Sequence, residues 1–125
     1  MSEKILVVDD DSFILRLVSY ILETEGYTVV TAADGREALG LLAEHQPDLV
    51  ICDISMPELD GFATIEAIRA DPETQELPVI MLTSRGQERD MQRAREVSAD
   101  DYLTKPFSSS QVLESVARHL GRSTK

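Results

Sequence analysis

The chain has a single cysteine, Cys52, so it can form no internal disulfide and no cysteine-based zinc centre. Basic residues are scarce: 12 Lys and Arg stand against 23 Asp and Glu, a formal charge of −11. A protein that tracks phosphate backbones carries a basic footprint, so this balance argues strongly against direct binding of DNA or RNA. It disfavours an anionic membrane surface for the same reason. No apolar run approaches the roughly 18 residues that cross a bilayer. The N-terminal apolar run, positions 5–8, ends in three acids and falls short of the about 7–15 residues of a signal-peptide core. The expected location is the cytoplasm. Low-complexity tracts, repeats and internal linkers are also missing. What is there is 125 residues, 42% hydrophobic and 28% charged, the size of one domain able to bury about two-thirds of its unfolded surface. The expected domain is 1–125, with a core over about 4–120 and a polar tail at 121–125.

Short runs rich in Val and Ile, at 5–8, 27–31, 49–52 and 79–82, read as strands bounded by charged or turn residues, with a weaker fifth at 101–103. Helical patterns lie between them. Phe13, Ile14, Leu17, Val18, Ile21 and Leu22 recur at the helical period and stop before Gly26. Asp34 with Glu37, and Ser108 with Gln111, have capping-box spacing. Each opens a helical run, the first burying Ala38, Leu41 and Leu42, the second Val112, Leu113, Val116 and Leu120. Further helices fit 62–70 and 88–97. Strict alternation of strand and helix predicts an α/β fold, a parallel sheet with helices on both faces. In such sheets ligands sit beyond the carboxyl ends of the strands.

The strand ends carry a complementary set of groups. The first run ends in Asp9 and Asp10, followed by Asp11; the third ends in Asp53; the fourth in Thr83 and Ser84; the fifth is followed by Lys105 and Pro106. Gathered carboxylates repel one another and lose hydration unless a cation compensates them. Oxygen ligands with no His or Cys nearby suit a hard cation, Mg²⁺ best, because it takes one or two carboxylates and completes its shell with water and phosphate oxygens. Each feature alone has a plainer structural reading. Asp9 and Asp10 could cap a helix, Asp53 could be a turn residue, Thr83 and Ser84 could cap the next helix, and Lys105 could be a solvated charge. The coincidence of all four strand ends favours a site. Cys52 reads as a buried strand residue, and His45 and His119 as solvated residues on helix ends.

The stretches ILVVDDD at 5–11, VICDISMPELDG at 50–61, PVIMLTS at 78–84 and ADDYLTKPF at 99–107 together resemble the receiver domain of two-component response regulators. The resemblance implies a flavodoxin-like, doubly wound five-stranded parallel sheet of order 2-1-3-4-5 with five helices. It implies that Asp53 accepts a phosphoryl group from a histidine of a sensor kinase or histidine phosphotransfer protein. Asp9, Asp10, Asp53 and the backbone carbonyl of Ser55 would hold Mg²⁺, Lys105 would reach a phosphoryl oxygen, and Thr83 would hydrogen-bond the phosphoryl. Thr83 and Tyr102 would form a switch that alters the face made by the fourth helix, fifth strand and fifth helix, where a downstream protein would bind. The Lys105–Pro106 peptide would be cis. The resemblance also puts Ser55 and Arg85 at positions that tune phosphoryl lifetime, where small Ser55 would admit water and long Arg85 would shield the phosphoryl. Ile14, Leu17, Pro106 and Phe107 are candidate contacts for a helical phosphodonor, although core packing also explains Leu17. With only a short tail beyond the last helix, the expectation is a stand-alone receiver, a signalling domain rather than an enzyme.

Two rivals share parts of this pattern. An aspartyl-phosphate hydrolase of the haloacid-dehalogenase type would use Asp9 and Asp11, with Asp100 and Asp101 as its later acidic pair. It leaves Asp53 and Lys105 unexplained. A flavin binder on the same fold would need an amide cradle for phosphate in the loop after the first strand, where DDDSF stands, and these acids would repel it.

Overall fold

Val, Ile and Leu fill the strands because both faces of a parallel sheet are covered. The computed structural model describes residues 3–53, 61–84 and 99–120. In it, β1 (Lys4–Val8), β2 (Thr28–Ala32), β3 (Leu49–Asp53), β4 (Val79–Ser84) and β5 (Asp101–Lys105) form one five-stranded sheet. All pairings are parallel and the order is β2-β1-β3-β4-β5. The described helices are α1 (Ser12–Thr24), α2 (Gly35–His45), α3 (Gly61–Ala70) and α4 (Ser109–His119). The helix expected at 88–97 lies outside the described residues, so α4 is the last of the five helices expected. The architecture is the doubly wound parallel α/β sheet that the strand-helix alternation predicts, in the flavodoxin-like strand order that the resemblance implies.

Alternate strand residues divide the core into two layers. Ile5, Val7, Leu49, Ile51, Ile80 and Leu82 pack with Val18, Ile21 and Leu22 of α1 and Val112 and Val116 of α4. Leu6, Val8, Val50, Cys52, Val79 and Met81 pack on the other face with Ala38 and Leu42 of α2 and Phe62, Ile65 and Ile68 of α3. Burying side chains of this size stabilises the fold by about 1.5–3 kcal/mol each.

Local signals set the helix ends. The Asp11 side chain caps α1, accepting from the Phe13 amide at 2.9 Å. Gly26 follows the helix with φ +93°, a conformation that favours glycine. At α2, Asp34 accepts from the Glu37 amide at 2.8 Å while Glu37 accepts from the Ala33 amide at 2.8 Å. Ser108 and Gln111 form a complete capping box at α4. Strands β4 and β5 run two residues past the apolar segments read from sequence. Ladder pairing continues through Thr83 with Thr104 and Ser84 with Lys105, and backbone pairing does not require apolar side chains.

Three residues depart from expectation. Phe13 fits the apolar period of α1 yet is 60% exposed, since the buried positions of that helix fall further along, at Val18, Ile21 and Leu22. Ser115, polar by sequence, is buried. His119 is not simply solvated: it is half-buried, with Nε2 3.2 Å from Asp101 Oδ2. The same Asp101 oxygen accepts from Ser115 Oγ at 2.6 Å and Arg118 Nη2 at 3.2 Å. Burial works to raise the Asp101 carboxyl, but donors from Ser115, the Tyr102 amide and His119 outweigh it and hold it below its ordinary value. This cluster ties α4 to the start of β5.

Candidate functional site

Parity and register explain why distant residues meet at the C-terminal edge of the sheet. Asp9 follows Val7 by two residues, Asp53 follows Ile51 by two, and Lys105 follows Leu103 by two. Val7, Ile51 and Leu103 all belong to the layer under α1 and α4. Period-two alternation therefore puts the three polar groups on that same face. Lys105 starts two strands away from Asp53, and its long stem spans the gap. Its Nζ lies 3.2 Å from Asp9 Oδ2 and 3.3 Å from Asp53 Oδ1. Asp10 joins from the loop after β1. Asp9, Asp10 and Asp53 each offer a carboxylate oxygen, and these oxygens lie within 4.8 Å of one another.

The carboxylates differ in access. Asp9 is fully buried and both its oxygens are engaged, Oδ1 by the Asp11 amide at 2.9 Å and Oδ2 by Lys105. Asp53 retains 7% exposure and Asp10 is exposed. Burial, reinforced by the neighbouring charge of Asp9, pushes the Asp53 carboxyl from 3.8 up to about 6. Burial also raises Asp9, against the pull of the Asp11 amide and Lys105. For Lys105, burial works downward, but the charges of Asp53 and Asp9 prevail and hold the ammonium above its ordinary value. Three carboxylates against one ammonium leave two negative charges uncompensated. The donor set, all carboxylate oxygen, fits a hard divalent cation.

Thr83 sits at the end of β4 with 1% exposure, and among the described residues its Oγ1 is buried without a hydrogen-bond partner. Such an orphan costs about 1–3 kcal/mol and marks a hydroxyl with an unmet hydrogen-bonding capacity. Tyr102, half-buried on β5, packs in the same layer as Met81, its ladder partner. The Lys105–Pro106 peptide is cis. Ile14, Leu17 and Phe107 are partly buried against the α1–α4 layer, and Pro106 is exposed. Ile14 and Leu17 therefore share the packing role that sequence left open for Leu17. Exposed Phe13 stands on the same helix; the apolar period assigned it to the core, and its place in the first turn was the signal available. Ser55 and Arg85 lie outside the described residues.

The geometry separates the rival readings. Hydrolysis at Asp9 would need an accessible nucleophile, whereas Asp9 is sealed and Asp11 caps a helix. Asp100 and Asp101 lie at the opening of β5, the opposite end of the strand from Lys105. There Asp100 accepts from Arg69 and the Val79 amide, at 2.9 and 2.8 Å.

Comparison with known proteins gives the family. The chain is 43% identical over 123 residues to the alkaline phosphatase synthesis transcriptional regulatory protein PhoP of Bacillus subtilis, covering 98% of this chain and 50% of that protein. It thus spans about half the length of the curated relatives it matches. Its structure is similar to that of the chemotaxis protein CheY4 of Vibrio cholerae, with TM-score 0.89 and 36% identity, covering 94% of this chain and 98% of that one. It is also similar to the receiver domain of the sensor histidine kinase PA1611 of Pseudomonas aeruginosa, with TM-score 0.90 and 28% identity over 97% of this chain and 99% of that one. That structure is described with a magnesium ion coordinated in the active-site cleft. The response regulator receiver domain profile matches residues 5–117, and the chain belongs to that family.

Proposed function

We propose that Asp53 accepts a phosphoryl group from a phosphohistidine on a sensor histidine kinase or histidine phosphotransfer protein. An Asp53 oxygen forms the new O–P bond as the P–N bond to the donor imidazole breaks, giving an acyl phosphate. The observation that carries this reading is the pairing of partly accessible Asp53 with Lys105, beside a sealed Asp9. Lys105 supplies a compact positive charge at the place where phosphoryl oxygens arrive. Asp9, Asp10 and Asp53, with the Ser55 backbone carbonyl implied by the resemblance, would hold Mg²⁺. When bound, the ion would offset charge on the acceptor carboxylate and the phosphoryl oxygens.

Thr83 Oγ1, which has no partner among the described residues, would hydrogen-bond the phosphoryl once it is present. A ligand shifts a two-state equilibrium through contacts that differ between the states, and this unmet hydroxyl is such a contact. Movement of Thr83 would be sensed by Tyr102 in the same layer and reach the face built on β5 and α4. There a downstream protein would distinguish the phosphorylated form. Ile14, Leu17, Pro106 and Phe107, with exposed Phe13, form the proposed docking patch for the phosphodonor. The chain works as one receiver unit over 1–125, and a kinase partner of this kind places it in the cytoplasm. Among the described residues no helix is long and apolar enough to cross a membrane.

Incubation with a small acyl phosphate and Mg²⁺, followed by mapping of the modified residue, tests the assignment. Label should appear on Asp53, vanish in Asp53→Asn without loss of the circular dichroism spectrum, and stop when Mg²⁺ is chelated. Label on Asp9 would favour the hydrolase reading, and label that survives Asp53→Asn would remove Asp53 from the central role.

A further inference from the structure

At the other end of the sheet, α2 and α3 border a cavity of about 590 Å³, within the roughly 300–1,000 Å³ typical of binding clefts. Its lining includes buried Leu42 and Ile68, half-buried Leu77, and exposed Ala43, Asp71 and Glu73. These residues come from the C-terminal halves of the two helices and the loop before β4. The cleft therefore lies beyond the amino ends of β3 and β4. The length of β3, five residues or about 17 Å, separates this end of the sheet from Asp53. The cleft is independent of the phosphoryl chemistry.

Among the described residues no Lys or Arg lines the cleft. Arg69, at the end of α3, is committed elsewhere: it donates to the carbonyls of Gln75 and Leu77 and pairs with Asp100 at 2.9 Å. Asp71 Oδ1 accepts from the Glu73 amide at 2.9 Å, and among the described residues no ion pair engages Asp71 or Glu73. Thr74, also in the lining, spends its hydroxyl on the Ile68 carbonyl at 2.7 Å. The cleft thus offers apolar area and negative charge but few free donors to orient a small polar ligand.

We propose that the α2–α3 cleft docks an amphipathic helix of a partner protein, with an apolar anchor between Leu42 and Ile68 and Lys or Arg side chains facing Asp71 and Glu73. A groove between two helices accepts the side-chain ridge of a third. The uncompensated acids select a basic flank, and a chain of formal charge −11 repels an acidic one.

A helical peptide of leucine and lysine, about five turns long and with leucine on one face, is the probe. Its counterpart carries glutamate for lysine. Each is titrated into isotope-labelled protein saturated with Mg²⁺, which occupies the acidic end of the sheet. The lysine peptide should bind saturably and shift the amide signals of Leu42, Ala43, Ile68 and Thr74. It should bind at least about tenfold more tightly than the glutamate peptide, a difference of about 1.4 kcal/mol. Glu73→Lys should weaken it about fivefold, and Ala43→Arg should abolish it. Both positions are exposed, so unchanged spectra of the free variants verify the fold. Equal affinity for the two peptides, no saturable binding, shifts centred on Asp9 and Asp10, or indifference to both substitutions would overturn the proposal.

Discussion

Replacing Asp53 by asparagine should stabilise the protein when no metal is present. Burial, then the charge of Asp9, moves the Asp53 carboxyl from 3.8 to about 6. A tenfold change in proton affinity is worth about 1.4 kcal/mol, so ionising this group costs about 3 kcal/mol more in the folded chain than in the unfolded one. With the folded value raised, the stabilising contribution is whole below pH 3.8 and is lost as pH climbs through about 6. Above that the full penalty stands. Asparagine has the shape of the protonated acid and never ionises, so it escapes the penalty. At 7% exposure solvent screens little of the effect. Urea denaturation in chelator should show Asp53→Asn more stable than the parent at neutral pH, by up to about 3 kcal/mol, the gap closing near pH 4. Saturating Mg²⁺ should narrow the gap by stabilising the parent alone, since a ligand of the native state adds stability by mass action. A less stable variant at neutral pH in chelator, or a gap that widens toward pH 4, would refute the reasoning.

Thr83→Ala removes a buried hydroxyl with no partner among the described residues. Relief of the orphan and loss of the buried methyl beside it oppose each other, so the unphosphorylated protein should stay within about 1 kcal/mol of the parent, and Asp53 should still be labelled. Amide signals near Tyr102 should no longer change on phosphorylation, and an intact response there would exclude the threonine as the sensor. Lys105→Met leaves Asp9 and Asp53 facing each other without their ammonium. It should cost about 2 kcal/mol in chelator, and Mg²⁺ should restore more stability to the variant than to the parent; equal gains would contradict the charge balance drawn above. Ser108→Ala breaks the capping box of α4 and should cost about 1 kcal/mol in urea denaturation without changing the labelling of Asp53. A loss of labelling would mean that the cap also shapes the site.

Local chemistry made much of this protein legible in the linear sequence. Continuous Val and Ile runs announced strands buried on both sides, Gly26 ended a helix, and Asp34 and Ser108 opened two more. The same runs showed that Asp9, Asp53, Thr83 and Lys105 each stand at a strand's end, because the change from apolar to polar is itself the end of the core. Short-range spacing could not decide what each acid does. Asp11, one residue from Asp10, is spent on capping α1, and Asp9 is sealed between an amide and an ammonium, while Asp53 keeps a path to solvent. Nor could it show that Phe13 stays exposed or that His119 shares Asp101 with Ser115 and Arg118.

Those outcomes depend on groups far apart along the chain. Asp9 and Lys105 are separated by 96 positions, and they meet because sheet order and shared parity put both on one face at one edge. Hydrophobic periodicity is a property of neighbours and can be read residue by residue. Charge compensation and access to solvent belong to the assembled sheet, where burial sets how strongly each carboxylate needs a partner.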